Sequence, residues 1–317
     1  MQRTSGPRGT ATAAGAVWPG RAETPRARII AAMTAATEAR ATAQSRLRWE
    51  LLVGLVRKDL KVKYQSSALG FVWSLATPLL LLAVYYLVFS FILRNGVPNF
   101  AVYLMAGLLP WNAFSSSLAF GSGSVVGNAN LVKKVRFPTS VLPLSAVGYA
   151  AVHFVLQMGV FFVFLLFFHR AAFGPQLVLL IPALAVLIVF ATGLGMLVAA
   201  LTVRYRDVQH LLEVVLLAWF WLNPVIYGMF LVRERLGDLY WLYFLNPMAG
   251  VITAFQRALY ANTDVDLPGR GPTQVLAYRG YKGYLIQLAV GGAIALVTFA
   301  IGLTVFRRMR GDFAEDL

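Results

Sequence analysis

No cysteine occurs among the 317 residues, so neither a disulfide framework nor a cysteine-based metal site can form. Charge is scarce as well: 13% of residues are Asp, Glu, Lys or Arg, against 59% hydrophobic. That balance is too apolar for one or two soluble domains and indicates a multi-span membrane protein. Acidic residues are scarcer than basic ones, 13 against 28, which leaves a net charge of +15. The basic residues stand at the ends of apolar runs rather than in a basic, aromatic-interleaved domain. The excess therefore reads as membrane topology and contact with anionic headgroups, and no nucleic-acid partner is expected.

Catalytic equipment is also missing. Of the three histidines, His153 sits within an apolar run without an obvious carboxylate, and His169 and His210 sit at the ends of runs. There is no HExxH, no pair of carboxylates beside an outer loop and no nucleophile elbow, so the sequence offers no acid, base, nucleophile or metal constellation. The glycines of GSGSVVGNANLVKK do not form a nucleotide loop, because Gly127 is followed by Asn128 rather than by Lys and Ser or Thr. A membrane-embedded glycan transferase is accordingly disfavoured, and no metal or bound cofactor is expected.

What is present is organised around Arg57 to Leu93, RKDLKVKYQSSALGFVWSLATPLLLLAVYYLVFSFIL. Its basic opening, with Arg57, Lys58, Lys61 and Lys63, precedes an uncharged run long enough to cross a bilayer, which takes about 20 residues as helix. Lys and Arg collect on the cytoplasmic side, so the N-terminal flank is expected inside. Ahead of it, residues 1–45 are rich in Ala, Arg, Thr, Gly and Pro and lack a signal peptide's apolar centre; they are expected to be a disordered cytoplasmic tail. Met33 is a second possible start, and a transit peptide is the weaker reading of the same composition. From Leu47 to Lys63 the apolar residues recur at helical spacing opposite the charges, which predicts an amphipathic helix in the interface. It is either a topology anchor or a basic sill that meets an anionic lipid substrate.

The remaining apolar runs predict an all-α integral membrane protein with six transmembrane helices, at about 71–93, 101–120, 141–168, 176–201, 211–230 and 285–306, and with residues 46–317 as one transmembrane domain. Pro78 is expected to bend the first helix. Asn128 to Arg136 is expected to form a short basic helix stopped by Pro138, and Gly193 and Gly195 to permit close helix packing. Glu213 is read as a partner for Arg204 or Arg206 rather than as an ion-coupling site, so the energy source must lie elsewhere. The segment around Asn246-Pro247 is too short and broken to span, and suits outer re-entrant half-helices between spans five and six. Both termini are then cytoplasmic, with Arg307, Arg308 and Arg310 inside. Residues 263–282 are a polar loop by composition. Aromatic side chains concentrate on the first and fifth spans; Tyr85, Tyr86 and Trp219 either line a channel through which a sugar chain slides or serve helix packing and interfacial belts.

The chain resembles the permease subunits of ATP-binding-cassette exporters of polysaccharides and polyol phosphates, a type-2 family that includes O-antigen, capsule, teichoic-acid and galactan exporters. The resemblance covers about residues 47–317. It is carried by KDLKVKYQSSALGFVWSLATPLL, NANLVKKVRFPTSVLPL, VRYRDV, NPVIY, FLNPMAGVITAFQRAL and FRRMRGDFAEDL, in that order. It implies a bacterial inner-membrane homodimer bound to two copies of a separate cytoplasmic ATPase, which would carry the ATP and Mg. The amphipathic helix would be a gate helix whose Arg57, Lys58, Lys61 and Lys63 meet the diphosphate of a polyprenyl-linked polysaccharide. Lys133, Lys134, Arg136 and Phe137 match the helix that couples to the ATPase, and Tyr205, Arg206 and Asp207 match a second contact. Asn246 and Pro247 match the break of the outer re-entrant helices. An exporter of a drug or small lipid would share this fold.

Overall fold

A computed structural model describes residues 45–62, 72–92, 97–134, 137–262, 264–267, 271–278 and 280–317. The chain divides into two compact units, Met1–Leu47 and Arg48–Leu317. The first lies almost wholly outside the described residues, as do Lys63 and Arg136.

Among the described residues of the second unit, the regular structure is helical except for one small hairpin. Helix α1 covers residues 45–62, with Leu51, Leu52, Leu55 and Val56 half-buried and Arg57, Lys58 and Lys61 exposed, the amphipathic division its spacing predicts. Helix α2, Val72–Tyr86, runs unbroken through Pro78 and continues as a π-helical turn, Leu87–Ile92. Helix α3, Phe100–Gly123, contains Pro110 and packs against α5 (Val141–Phe168), α6 (Leu180–Arg204), α7 (Val208–Trp221) and α9 (Pro247–Leu259). Between α3 and α5 stands the short helix α4, Ala129–Lys134, closely matching the expected basic segment.

Three described helical stretches are long and apolar enough to cross a membrane: Val141–Phe168, Pro175–Arg204 and Tyr281–Met309. The first is α5. The second adds a 3-10 turn ahead of α6, and the third is helix α10. Helix α3 has comparable length, but Asn112, Ser115, Ser116 and Ser117 dilute its apolar character. The outward faces of these helices carry large apolar groups such as Val155, Val163 and Phe167 on α5 and Ile286, Leu296 and Val297 on α10. An apolar face of that extent suits hydrocarbon rather than water.

Helices α6 and α10 cross at a glycine pair. A Cβ on Gly193 would overlap the backbone of Phe299, and one on Gly302 would overlap the carbonyl of Gly193. Gly195 serves a different contact, facing Gly121 of α3, whose added Cβ would lie 3.7 Å from the Gly195 Cα. Close approach of this kind is what small residues contribute to membrane helix packing, where lipid offers no hydrophobic drive between helices.

The fifth apolar run is not one helix. Helix α7 stops at Trp221, before Asn223-Pro224, and α8 begins at Met229 and ends at Leu236. With 14 residues, α7 is about 21 Å long. A 3-10 stretch, Gly237–Leu245, leads to α9, which is buried along nearly its whole length. Residues 263–282, expected to be loop, instead include an antiparallel hairpin, β1 (Asp264–Leu267) with β2 (Gly271–Gln274), in which Val265 faces Thr273. The alternation Asp-Val-Asp-Leu suits a strand with one face turned inward, and Val265 is buried. After α10, helix α11, Phe313–Asp316, folds back so that Phe313 is buried against Phe306, with ring centroids 5.2 Å apart.

Candidate functional site: a cleft beneath the amphipathic helix

At the end of the bundle where α3 finishes, the helix unwinds through small polar residues. Ser122 and Ser124 turn their hydroxyls onto the carbonyls of Ala119 and Gly121, at 2.8 and 2.7 Å. A 3-10 turn, Val126–Asn128, follows. Such side chains compete with helical backbone bonding and favour helix ends. Asn128 fixes the turn by donating from Nδ2 to the Ser124 carbonyl at 2.8 Å, and its Oδ1 accepts from Lys58 Nζ of α1 at 2.9 Å. Helix α1 is thereby tied to the first residue before α4. It is also seated on α5, where a Cβ on Gly148 would lie 3.0 Å from Val56.

Between these parts lies a cleft of about 600 Å³. Lys58 and Asp59 line it from α1, Phe120 and Gly123 from α3, and Asn128 and Tyr149 from the turn and from α5. Lys58 and Asp59 form an ion pair at 3.4 Å, and Tyr149 packs edge-on against Phe120 and His153. One wall is thus charged and polar and the other aromatic, a combination that can hold a polar headgroup beside an apolar or sugar-like group. Of the four cations singled out in the sequence, Lys58 lines the cleft, Arg57 and Lys61 are exposed on α1, and Lys63 lies outside the described residues. Asp59, Ser124 and Asn128 were not singled out. The small-polar run GSGSVVGN is the signal the sequence holds for the last two.

The second set of expected residues lies on the adjoining surface. Lys133 and Lys134 are exposed on α4, and Phe137 is half-buried against a cluster that includes Val125, Phe306 and Phe313. Helix α11 touches both α4 and α6. Tyr205, Arg206 and Asp207 form the exposed turn between α6 and α7, with Tyr205 57% exposed and the Arg204 guanidinium 5.9 Å from its ring. Glu213 corrects its expectation: it is exposed on α7, and among the described residues no ion pair joins it to Arg204 or Arg206. The turn at 205–207 ends one helix and starts the next, and Glu213 sits more than a turn further along α7.

The aromatic residues divide. Tyr85 stacks on Phe220 at 6.1 Å, and Trp219 packs edge-on against Phe114 at 5.3 Å in a cluster with Trp111 and Phe190. Tyr86 is 49% exposed. Further along, Asn246 caps α9 by accepting from the Met248 N–H at 3.1 Å, with Pro247 in the first helical position, where its missing N–H is harmless. Among the described residues no group of three or more His, Asp or Glu is placed to hold a metal ion.

Long helices with apolar outer faces, proline-marked breaks and basic helix ends define a polytopic α-helical membrane protein. The ABC-2 type transporter family matches residues 50–260, and the chain belongs to that family. It is 33% identical over 270 residues to an O-antigen export system permease protein RfbA of Klebsiella pneumoniae, across 85% of this chain and 95% of that protein. A Myxococcus xanthus protein of the same description is 31% identical, across 84% and 95%. The polysialic acid transport protein KpsM of Escherichia coli is 23% identical, across 80% and 91%.

Proposed function

We propose that the chain is the membrane permease subunit of an ATP-driven exporter, moving a polyprenyl-diphosphate-linked polysaccharide of the O-antigen, galactan, capsule or teichoic-acid type from the cytoplasmic to the outer side of the membrane. The observation that carries this reading is the similarity to O-antigen export permeases along 84–85% of the chain. In this reading the protein has six spans and both termini in the cytoplasm of a bacterial cell, and works as a homodimer in the inner membrane. It binds no cofactor itself; two copies of a cytoplasmic ATPase bind ATP and Mg and hydrolyse the nucleotide.

The parts take their roles from chemistry. A diphosphate at the interface calls for several cations nearby, and Arg57, Lys58, Lys61 and Lys63 supply them on the gate helix. Lys133, Lys134, Arg136 and Phe137 dock on the ATPase, with Tyr205, Arg206 and Asp207 as a second contact. ATP binding moves these contacts and opens a channel at the dimer interface. Tyr85, Tyr86 and Trp219 line it, offering broad apolar faces on which a glycan slides without tight binding. The break at Asn246-Pro247 marks re-entrant helices that close the channel on the outer side.

The test is a mild-detergent pull-down from native membranes with the wild type and with Lys133, Lys134 and Arg136 all changed to Ala. Recovery of an ATPase with the wild type and its loss with the variant supports the reading. No ATPase with either, from well-folded protein, removes the energy source and the proposal with it.

A further inference from the structure

Helix α4 has six residues and none of them is buried. A helix that short does not hold itself together, since isolated helices below about 12–15 residues are marginal in water even in favourable sequences. Its placement therefore comes from what it rests on. Lys133 and Lys134 are exposed, while Val132 is half-buried and packs against a small apolar core distinct from the main one. The chain enters that same core on both sides of α4, through Val125 before it and through Phe137 and Leu142 after it.

One side of the small core is firmly held. Met196 and Val203 come from α6 and Phe306 from α10, two helices that cross at the Gly193 and Gly302 pair and also reach into the main core. The other side depends on α11. After α10 ends at Met309 the chain reverses, with the Asp312 N–H donating to the Met309 carbonyl at 3.0 Å. Phe313 is then 1% exposed, edge-on to Phe306, whereas Ala314, Glu315 and Asp316 are exposed. The burial of α11 thus rests on one side chain. Because α11 packs against both α4 and α6, it joins the helix that cannot place itself to one that is fixed.

We infer that Phe313 is a positioning residue for the ATPase contact: seated on Phe306, it holds α11 against α4 and so fixes α4 relative to the turn at 205–207, which α6 carries directly. The inference rests on the proposed docking of an ATPase on α4 and on that turn, and names the part of the permease that sets their spacing. Two contacts held at a fixed spacing grip a rigid partner better than two that move independently, because less freedom is lost on binding.

The experiment uses nitroxide spin labels, which a chain without cysteine accepts only where one is introduced. The full-length protein, in lipid nanodiscs and without ATPase, is labelled at Lys134→Cys or, separately, at Arg206→Cys, both exposed positions. Adding Phe313→Ala should remove the slow-motion component from the spectrum at position 134 and leave the line shape at 206 as it was. Phe313→Leu, which refills most of the space, should keep the slow component. With the native residues at 134 and 206, Phe313→Ala should weaken binding of the ATPase recovered in the pull-down about tenfold, and Phe313→Leu less than about twofold. An unchanged spectrum at 134, equal loosening at both positions, loss of the Phe313→Ala protein from the membrane, or undiminished ATPase binding would overturn the inference. If the wild type recovers no ATPase, the export reading fails, and the label spectra still decide whether Phe313 holds α4 in place.

Discussion

Asn246 donates from Nδ2 to Asn223 Oδ1 at 2.9 Å, so the two Asn-Pro helix breaks, 23 residues apart, are joined to each other. Asn223 in turn donates to the Trp219 carbonyl at 2.6 Å, and Gln256 of α9 donates to the Pro224 carbonyl at 2.7 Å. Each break leaves helix-end backbone groups without helical partners, and in a membrane those groups must be satisfied within the protein. The asparagine before each proline does this, and the link locks α7 to α9. Asn246→Ala should lower stability more than Asn223→Ala, because it removes the α9 cap, worth about 1 kcal/mol, as well as the link. Thermal unfolding in detergent should show the double variant destabilised by less than the sum of the two, as shared partners require. Strict additivity would mean the link carries nothing.

The glycine crossing of α6 and α10 makes a sharper prediction. At Gly302 an added methyl meets the Gly193 backbone carbonyl, which cannot swing aside as a side chain can. Overpacking of this kind costs typically ~1–3 kcal/mol, occasionally more, and Gly302→Ala should fall at or beyond the top of that range. Gly127→Ala is the control, since nothing lies within 4 Å of the added atom. Expression level and melting temperature should drop for the first and stay near wild type for the second.

Alkaline pH should loosen the hairpin end. Burial pushes the Tyr278 phenol from its ordinary value of 10 up to about 12, with the neighbouring Tyr240 adding to the effect and Arg233 opposing it. A folded pKa above the unfolded one means stability is fully present below about pH 10. It is lost as pH rises from there through about 12, because the unfolded chain releases its proton first. The melting temperature of the wild type should fall across that window, and Tyr278→Phe should fall less steeply. Parallel curves would show that Tyr278 contributes nothing to the decline.

Much of this arrangement was legible in the sequence, for reasons that differ by element. Amphipathic spacing exposed α1, and the prolines after Asn223 and Asn246 marked the breaks, because both are local features. The hairpin at 264–274 escaped because each strand is four residues long, and polar composition there resembles a loop. Residues of the cleft escaped for another reason. Lys58 and Asn128 are 70 positions apart, and neither residue type signals a partner that distant. Gly302 carries no local signal because it sits among other small residues of α10, and only the crossing with α6 singles it out.

The Lys58 to Asn128 bond supplies the last prediction. Asn128 immediately precedes α4, the helix proposed to contact the ATPase, and Lys58 lies on α1 over the cleft, so this pair is the direct link through which a displacement of α4 would reach α1. The bond is exposed, so it contributes little to stability, about 1 kcal/mol or less, and neither Lys58→Ala nor Asn128→Ala should reduce the amount of protein in the membrane. If the pair carries motion, each variant should lower export in cells while ATP hydrolysis by the assembled complex continues, and the double variant should be no worse than the more severe single one. Lys58→Arg, which restores a donor, should recover part of the export. Undiminished export in both single variants would show that α1 follows α4 by another route, and a loss of ATP hydrolysis alongside export would place the defect in assembly rather than in transmission.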